Sequence, residues 1–299
     1  MATSIICVGN ATLDRIWNVP HLPVPGEKLR SVGYLEVGGG QAANAAVAAA
    51  RLGGDVSLIC AIGSDMIGTA ILDQLRAERV DLASVHFVTG ARSISSAILV
   101  EGSGERAIIG DVDPRLHAKT PSLDLSGVAK AQAVLTDVKW PAAAEQVLRE
   151  ARRLNVPTVL DIEPAAAGNH ERLCPLADHA IFGQAGLRAF TGTDDPDSGL
   201  QFAYDKLGVT CGVTLGPLGV RLLSRAGRVS IAAPKVEVVD TTGAGDAFHG
   251  AYALAVGEGQ DSSAAARFAS VVAALKCTKL GGRAGLPTRA EVERFMRGA

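Results

Sequence analysis

The sequence has few of the features that would direct it to several common functions. Aromatic residues make up only 4% of its 299 positions, too few for platforms that stack nucleic-acid bases. Basic excess is absent too: 29 Lys and Arg against 31 Asp and Glu give a formal charge of −2, leaving no overall positive field to attract a polyphosphate backbone. The cysteines Cys7, Cys60, Cys174, Cys211 and Cys277 are odd in number, far apart and mostly within apolar runs. That pattern argues against a disulfide or zinc framework and fits a reduced, cytoplasmic protein. No apolar run approaches the roughly 18 residues of a membrane span, and the first residues lack the charged start and long apolar core of a signal peptide. No Gly-Lys-Ser/Thr P-loop is present, and only Gly9 follows the first strand-like run, where a dinucleotide fingerprint needs three glycines. The histidines His21, His86, His117, His170 and His179 show no ligand spacing, so no metal cluster is expected from them.

The sequence is rich in alternation. Short β-branched runs (Ile5–Val8, Val56–Ile62, Ala133–Val138, Thr158–Asp161, His179–Phe182, Val209–Leu215, Arg221–Leu223) interleave with alanine-rich helical stretches (Ala42–Leu52, Thr69–Glu78, Ala142–Leu154, Ala264–Thr278, Arg289–Met296). This βαβ pattern predicts a mostly parallel sheet covered by helices on both faces, with ligands at the carboxyl ends of the strands. One domain over residues 1–299 is expected. Two segments break the pattern, about 15–37 and 93–112. The second reads as strands Ile94–Val100 and Arg106–Ile109 around a turn at Gly102-Ser103-Gly104. Both segments are read as a small antiparallel β lid over the strand ends. Gly192–Gly199 reads as a polar loop.

The most informative stretch is Asp240-TTGAGD-Asp246, preceded by an apolar run (Val236, Val238, Val239) expected to be a strand and followed by a helical stretch. A helix entered through glycines offers unpaired N–H groups and the positive end of its dipole to an anion. The amides of Gly243, Ala244 and Gly245 are therefore candidates for stabilising a phosphoryl group, and Asp246 for accepting a hydroxyl proton. A lone acid in a first helical turn more often just complements the dipole, but that reading leaves the two glycines unexplained. A second cluster, Gly38-GGQAAN-Asn44, lets backbone approach a ligand closely and places the amide of Asn44 in the first turn of a helix. Asp14, just after the first strand, is a further candidate for sugar hydroxyls; alone it is equally a solvated turn acid.

These segments resemble the ribokinase (PfkB) carbohydrate kinases, whose signatures are a GG segment entering a helix near residue 40 and a DTxGAGD segment near residue 240. The resemblance runs essentially end to end. It implies a three-layer α/β/α ribokinase-like fold and ATP-dependent phosphorylation of a sugar hydroxyl, with magnesium as cofactor. It assigns Asp246 as base and Gly243, Ala244 and Gly245 as anion hole. Asp14, Gly39, Gly40 and Asn44 would hold the sugar, and Thr214, Gly216, Gly219 and Gly282 the nucleotide. Backbone oxygens around Asp240, Thr242 and Gly281 would bind a monovalent cation such as potassium. A homodimer formed through the lids, with strand Ile94–Val100 pairing across the axis, is implied as well, with no nucleic-acid or membrane partner.

One departure narrows the reading. The Asn-x-x-Glu motif of many members is replaced by Gly183 and Gly186, which leaves magnesium to the nucleotide, waters and acids such as Asp161 or Glu163. Several segments, among them Leu135-TDVKW and Arg267-FASVVAALKCTKLGGRAGLP, look most like kinases of 6-deoxy-6-sulfofructose, which would be phosphorylated at O1. A sulfonate needs cationic donors, and Lys28 and Lys139 are the candidates, although each alone is more often a solvated surface lysine. Other acceptors stay open: fructose, ribose, a 2-keto-3-deoxy sugar acid, or a nucleoside walled by Trp17, Tyr34 and Phe87. Arg283, in the GGRAG segment, is placed to face either the sugar or the nucleotide, and the sequence leaves both open.

Overall fold

The computed structural model describes residues 2–298 except 103–104, 119–121 and 166–167. Its strands are β1 (Ser4–Val8), β2 (Thr12–Val19), β3 (Gly33–Gly39), β4 (Asp55–Ile59), β5 (Ala61–Gly63), β6 (His86–Val88), β7 (Ser95–Glu101), β8 (Arg106–Asp111), β9 (Ala133–Asp137), β10 (Thr158–Ile162), β11 (His179–Gly183), β12 (Thr210–Thr214), β13 (Val220–Ser224) and β14 (Gly227–Ile231). The helices are α1 (Gln41–Arg51), α2 (Met66–Ala77), α3 (Arg115–Ala118), α4 (Pro141–Leu154), α5 (Asn169–Leu173), α6 (Gln184–Thr191), α7 (Pro196–Leu207), α8 (Ala244–Gly257), α9 (Ser262–Cys277) and α10 (Arg289–Met296).

Eight strands form one sheet in the order β14-β13-β12-β11-β10-β9-β1-β4. From β12 to β4 every pairing is parallel, and β13 and β14 close one edge as an antiparallel hairpin. The inner strands are buried on both faces, as a sheet between two helical layers requires. Their carboxyl ends bring Val8, Asp137, Ile162, Gly183 and Thr214 to one side of the sheet, the side where an open α/β fold collects its ligands.

Three local expectations are corrected. The run Val56–Ile62 divides at Cys60 into β4 and β5, because β5 leaves the main sheet to pair with β6. The polar stretch Gly192–Gly199 is not all loop: Asp195 caps α7 by accepting from Ser198 N, with Pro196 at the first helical position, where its missing N–H costs nothing. Val236–Val239 is not a strand. Val238 and Val239 are exposed, and the N–H groups of Val239 and Asp240 donate to the carbonyl of Cys277 at the end of α9.

A second sheet has the order β3-β2-β7-β8, with β2–β3 and β7–β8 antiparallel and β2–β7 parallel. It is the lid expected from residues 15–37 and 93–112, but it reaches back to Thr12 and forward to Gly39. Ser103 and Gly104 of the expected turn lie outside the described residues. β7 is an inner strand flanked on both sides, so Ile94–Val100 is unable to pair across a symmetry axis. The chain crosses between lid and body at four short joints, and a carboxylate anchors the backbone at each. Asp137 accepts from Asn10 N and, more weakly, from Ala42 N. Asp65 accepts from Ser93 N, and Asp113 from Arg92 N and Arg115 N.

Alanines give the site its close packing. α1 is buried along Ala42–Ala49, so α8 comes near enough that a Cβ on Gly250 would overlap the backbone carbonyl of Ala45. Because backbone is unable to yield as a side chain does, Gly250→Ala is expected to destabilise the fold by about 1–3 kcal/mol. Urea unfolding checks this: the midpoint should fall with the slope unchanged.

Candidate active site

α1 and α8 start at the ligand side from Gly40 (φ 91°) and Gly243 (φ 73°), with no side-chain cap. Glycine adopts this conformation without strain. α2, α7, α9 and α10 are capped by Asp65, Asp195, Asp261 and Thr288, so the two helices that meet at the site are left to cap something else. Of the three amides assigned to the anion hole, Ala244 N already donates to Thr241 O at 3.1 Å, which leaves Gly243 and Gly245 for a phosphoryl oxygen. The Cα of Gly282 stands 3.6 Å from the position of a Cβ on Gly243. The C-terminal loop thus lies against the DTTGAGD turn.

Asp246 lies in the first turn of α8, partly accessible. Asn44 Nδ2 donates to its Oδ2 at 2.7 Å, joining the two glycine segments that lie 202 positions apart. Asn44 Oδ1 in turn accepts from Arg283 Nε at 2.8 Å, and Arg283 Nη2 donates to Gly39 O at 2.9 Å. The orientation of the Asn44 amide is therefore fixed from both ends. Gly38 admits this arrangement, since a Cβ there would overlap the Arg283 guanidinium, and Gly39 does the same for the Asp14 carboxylate. Gly40 passes against Asn10 O. Asp14 also accepts from Thr12 Oγ1 at 3.2 Å.

Lost solvation pushes the Asp246 carboxyl up to about 7, helped by Asp161 and opposed by the Asn44 hydrogen bond and by His249. Burial raises Asp14 as well, opposed by hydrogen bonds from Ser96 and Thr12. Burial lowers Arg283 to about 10, so it stays charged at neutral pH. Behind the base, His249 Nδ1 faces the carbonyl of Gly245 at 2.8 Å. A carbonyl only accepts, so Nδ1 carries a proton, and Nε2 lies 3.5 Å from Asp161 Oδ1. Burial lowers His249 and raises Asp161 well above its ordinary value.

Asp161, one of the two acids considered for magnesium, is buried, takes a hydrogen bond from Gln41 Nε2 and faces His249. Glu163 is different: partly exposed, its carboxylate lies where a Cβ on Gly183 would stand, and a Cβ on Gly186 would overlap Ile162 O. Gly183, in the first of the Asn-x-x-Glu positions, makes room for another carboxylate, and Glu163 fits magnesium chemistry by donor type and place. Among the described residues no group of three or more His, Cys, Asp or Glu is arranged to hold a metal ion.

Of the residues assigned to the nucleotide, Thr214, Gly216 and Gly219 lie at the end of β12, and Gly282 lies by the DTTGAGD turn. Thr214 ends β12 with Oγ1 donating to Phe182 O, Gly216 and Gly219 turn the chain at φ 55° and 88°, and Gly282 lies by Thr242. Asp240 Oδ1 accepts from Thr242 N and Oδ2 from Gly281 N, both at 2.8 Å. Two sugar candidates are not brought in. Lys28 is exposed in the connection between β2 and β3, and Lys139 Nζ donates to Pro164 O. Asp137, which fixes the entry to α1, was missed; its only signal is a carboxylate at the end of a buried strand.

The family described as pfkB family carbohydrate kinase matches residues 2–289. The ribokinase of Bacillus subtilis is 31% identical over 98% of this chain and 99% of its own. Among solved structures, an Agrobacterium tumefaciens protein described as a candidate ribokinase superposes with a TM-score of 0.95 at 38% identity, covering 100% of this chain and 98% of its own. Arabidopsis thaliana ribokinase complexed with ribose and ATP gives 0.90 at 26% identity over 99% of each chain.

Asp246→Asn is expected to lower kcat by about 10²–10⁴. The acting form is the carboxylate, so kcat/KM of the parent should rise with pH through about 7 and level above it. The folded-state pKa is raised from an ordinary carboxyl value of about 4 to about 7, so the native state binds the proton more tightly and the stability this group contributes is lost as pH climbs from about 4 to about 7. The variant should therefore melt no lower than the parent above neutrality, which thermal unfolding measures.

Proposed function

We infer the acceptor from one premise: the chain belongs to the pfkB family of carbohydrate kinases and is an ATP-dependent sugar kinase. The acceptor is a neutral furanose sugar of the ribose class, phosphorylated on its primary hydroxyl. One observation carries this reading. A fixed amide, Asn44, is bonded to Asp246, and a carboxylate, Asp14, lies against Gly39 at the entry to the same helix, while of the two lysines suited to a sulfonate Lys28 is exposed and Lys139 is bonded to Pro164 O. A carboxylate accepts from neighbouring hydroxyls and the second amide N–H of Asn44 donates to one of them, which suits a diol. The relatives named ribokinase support the same class.

Asp246 takes the proton of the attacking hydroxyl, and the N–H groups of Gly243 and Gly245 receive the developing charge on the transferring group. When bound, magnesium neutralises charge on the ATP phosphates, and Glu163 is the side chain that would meet it or its waters. We place the enzyme in the cytoplasm on its five unpaired cysteines, and as a homodimer through the lid. All six residues of β8 are exposed, Ile108 and Ile109 by 57% and 69%, an apolar edge that a free monomer would leave open to aggregation.

A second reading is 6-deoxy-6-sulfofructose phosphorylated at O1. It is favoured by Lys139, which follows β9 at the ligand end with a charge felt by Asp137 and Asp161. A nucleoside acceptor has less support. Trp17 and Tyr34 pack against each other with ring centroids 5.2 Å apart and planes tilted by 46° and, by strand alternation, lie on the lid face opposite Asp14.

Coupled ATP turnover across ribose, fructose, 6-deoxy-6-sulfofructose and adenosine decides among these. The highest kcat/KM is expected with ribose, unchanged by Lys139→Ala. A preference for the sulfosugar that Lys139→Ala abolishes would replace the first reading by the second, and turnover of adenosine alone would sink both.

A further inference from the structure

The turn and loop offered to a monovalent cation already hold a positive charge. Lys276, in the last turn of α9, is wholly buried. Its Nζ donates to the backbone carbonyl of Asp240 at 2.7 Å and stands 3.7 Å from Asp240 Oδ2. That carbonyl is one of the oxygens assigned above to potassium. An alkali cation bound to it would face an ammonium on the same atom, with no water between to screen the two like charges. The residues therefore do not fit the expected ion.

The surroundings show what a cation does at this place. Asp240 ties the DTTGAGD turn to the C-terminal loop through Thr242 N and Gly281 N, the segments that carry the anion-hole residue Gly243 and its neighbour Gly282. The carbonyls of Lys276, Lys279 and Gly281 crowd the same loop, at 2.8, 3.1 and 3.0 Å from the position of a Cβ on Gly285. Gly281 O accepts from Gly285 N and Lys276 O from Lys279 N, and the carbonyl of Asp240 has the Lys276 ammonium as its positive partner. A lysine ammonium and a potassium ion carry the same charge and both bind carbonyl oxygen, but the lysine is covalently supplied.

We propose that Lys276 is a positioning residue whose ammonium replaces the monovalent cation, so that this kinase holds its anion-hole turn and C-terminal loop in place without potassium. The proposal rests on the phosphoryl-transfer reading for its activity arm and on the fold alone for its stability arm.

The test compares buffers in which tetramethylammonium chloride is exchanged for potassium chloride at constant ionic strength. The parent protein is expected to show the same melting temperature and the same kcat and KM for ATP in both. Lys276→Ala should melt lower in tetramethylammonium and lose on the order of ten- to a hundredfold in kcat, the scale of a misplaced reacting group. Potassium or ammonium should restore both, because the vacated place then binds the ion and stabilises the native state. A several-fold activation of the parent by potassium, or a clear rise in its melting temperature, would overturn the proposal. So would a folded Lys276→Ala protein indifferent to potassium. If Lys276→Ala fails to fold, the parent's response still decides. Absence of turnover with every sugar in either salt would count against the sugar-kinase reading, while the melting comparison would still judge Lys276.

Discussion

The hydrogen bond from Asn44 to Asp246 is the contact on which the site depends. It links the start of α1 to the start of α8, and so the sugar side to the base. A hydrogen bond to an ionised group contributes about 1.5–3 kcal/mol, and one pKa unit corresponds to about 1.4 kcal/mol. A bond of this kind opposes the rise that burial imposes, and the carboxyl titrates at about 7, where a general base is most useful. Arg283 belongs to the same arrangement although it reaches neither the base nor the anion hole, because it decides which end of the Asn44 amide faces Asp246.

The glycines around this contact fall into two physical classes. Gly40 and Gly243 are needed for a backbone conformation, and each begins a helix at positive φ. Gly38, Gly39, Gly183 and Gly250 are needed for what occupies the missing side chain's place: a guanidinium, two carboxylates and a backbone carbonyl. The second class explains the departure from the Asn-x-x-Glu pattern. A carboxylate from the end of β10 stands in the space that a side chain on β11 would use.

The sequence made the parallel sheet, the glycine-led helices and the family legible, because periodicity and helix-start chemistry are local properties. Features set by distant partners were not. The apolar run Val56–Ile62 gave no sign that its second half leaves the main sheet, since both halves are equally apolar. Val236–Val239 had the composition of a strand but found the end of α9 in place of a sheet edge. Asp161 and Glu163, two residues apart at one strand end, looked equivalent for a metal, and only His249 and Gln41 on one side and Gly183 on the other separate them. Lys276 looked like any lysine near a helix end, and the side to which Arg283 turns depended on Asn44, 239 positions away.

The four anchored joints between the lid sheet and the body have a mechanical consequence. β3 passes into α1 through Gly40 alone, and the acids Asp137, Asp65 and Asp113 hold the chain where it enters and leaves the lid. A plate rooted this closely is held to the body at every crossing, so the position of Asp14 on β2 and that of Asn44 at the start of α1 are tied to each other through the single residue Gly40 between β3 and α1.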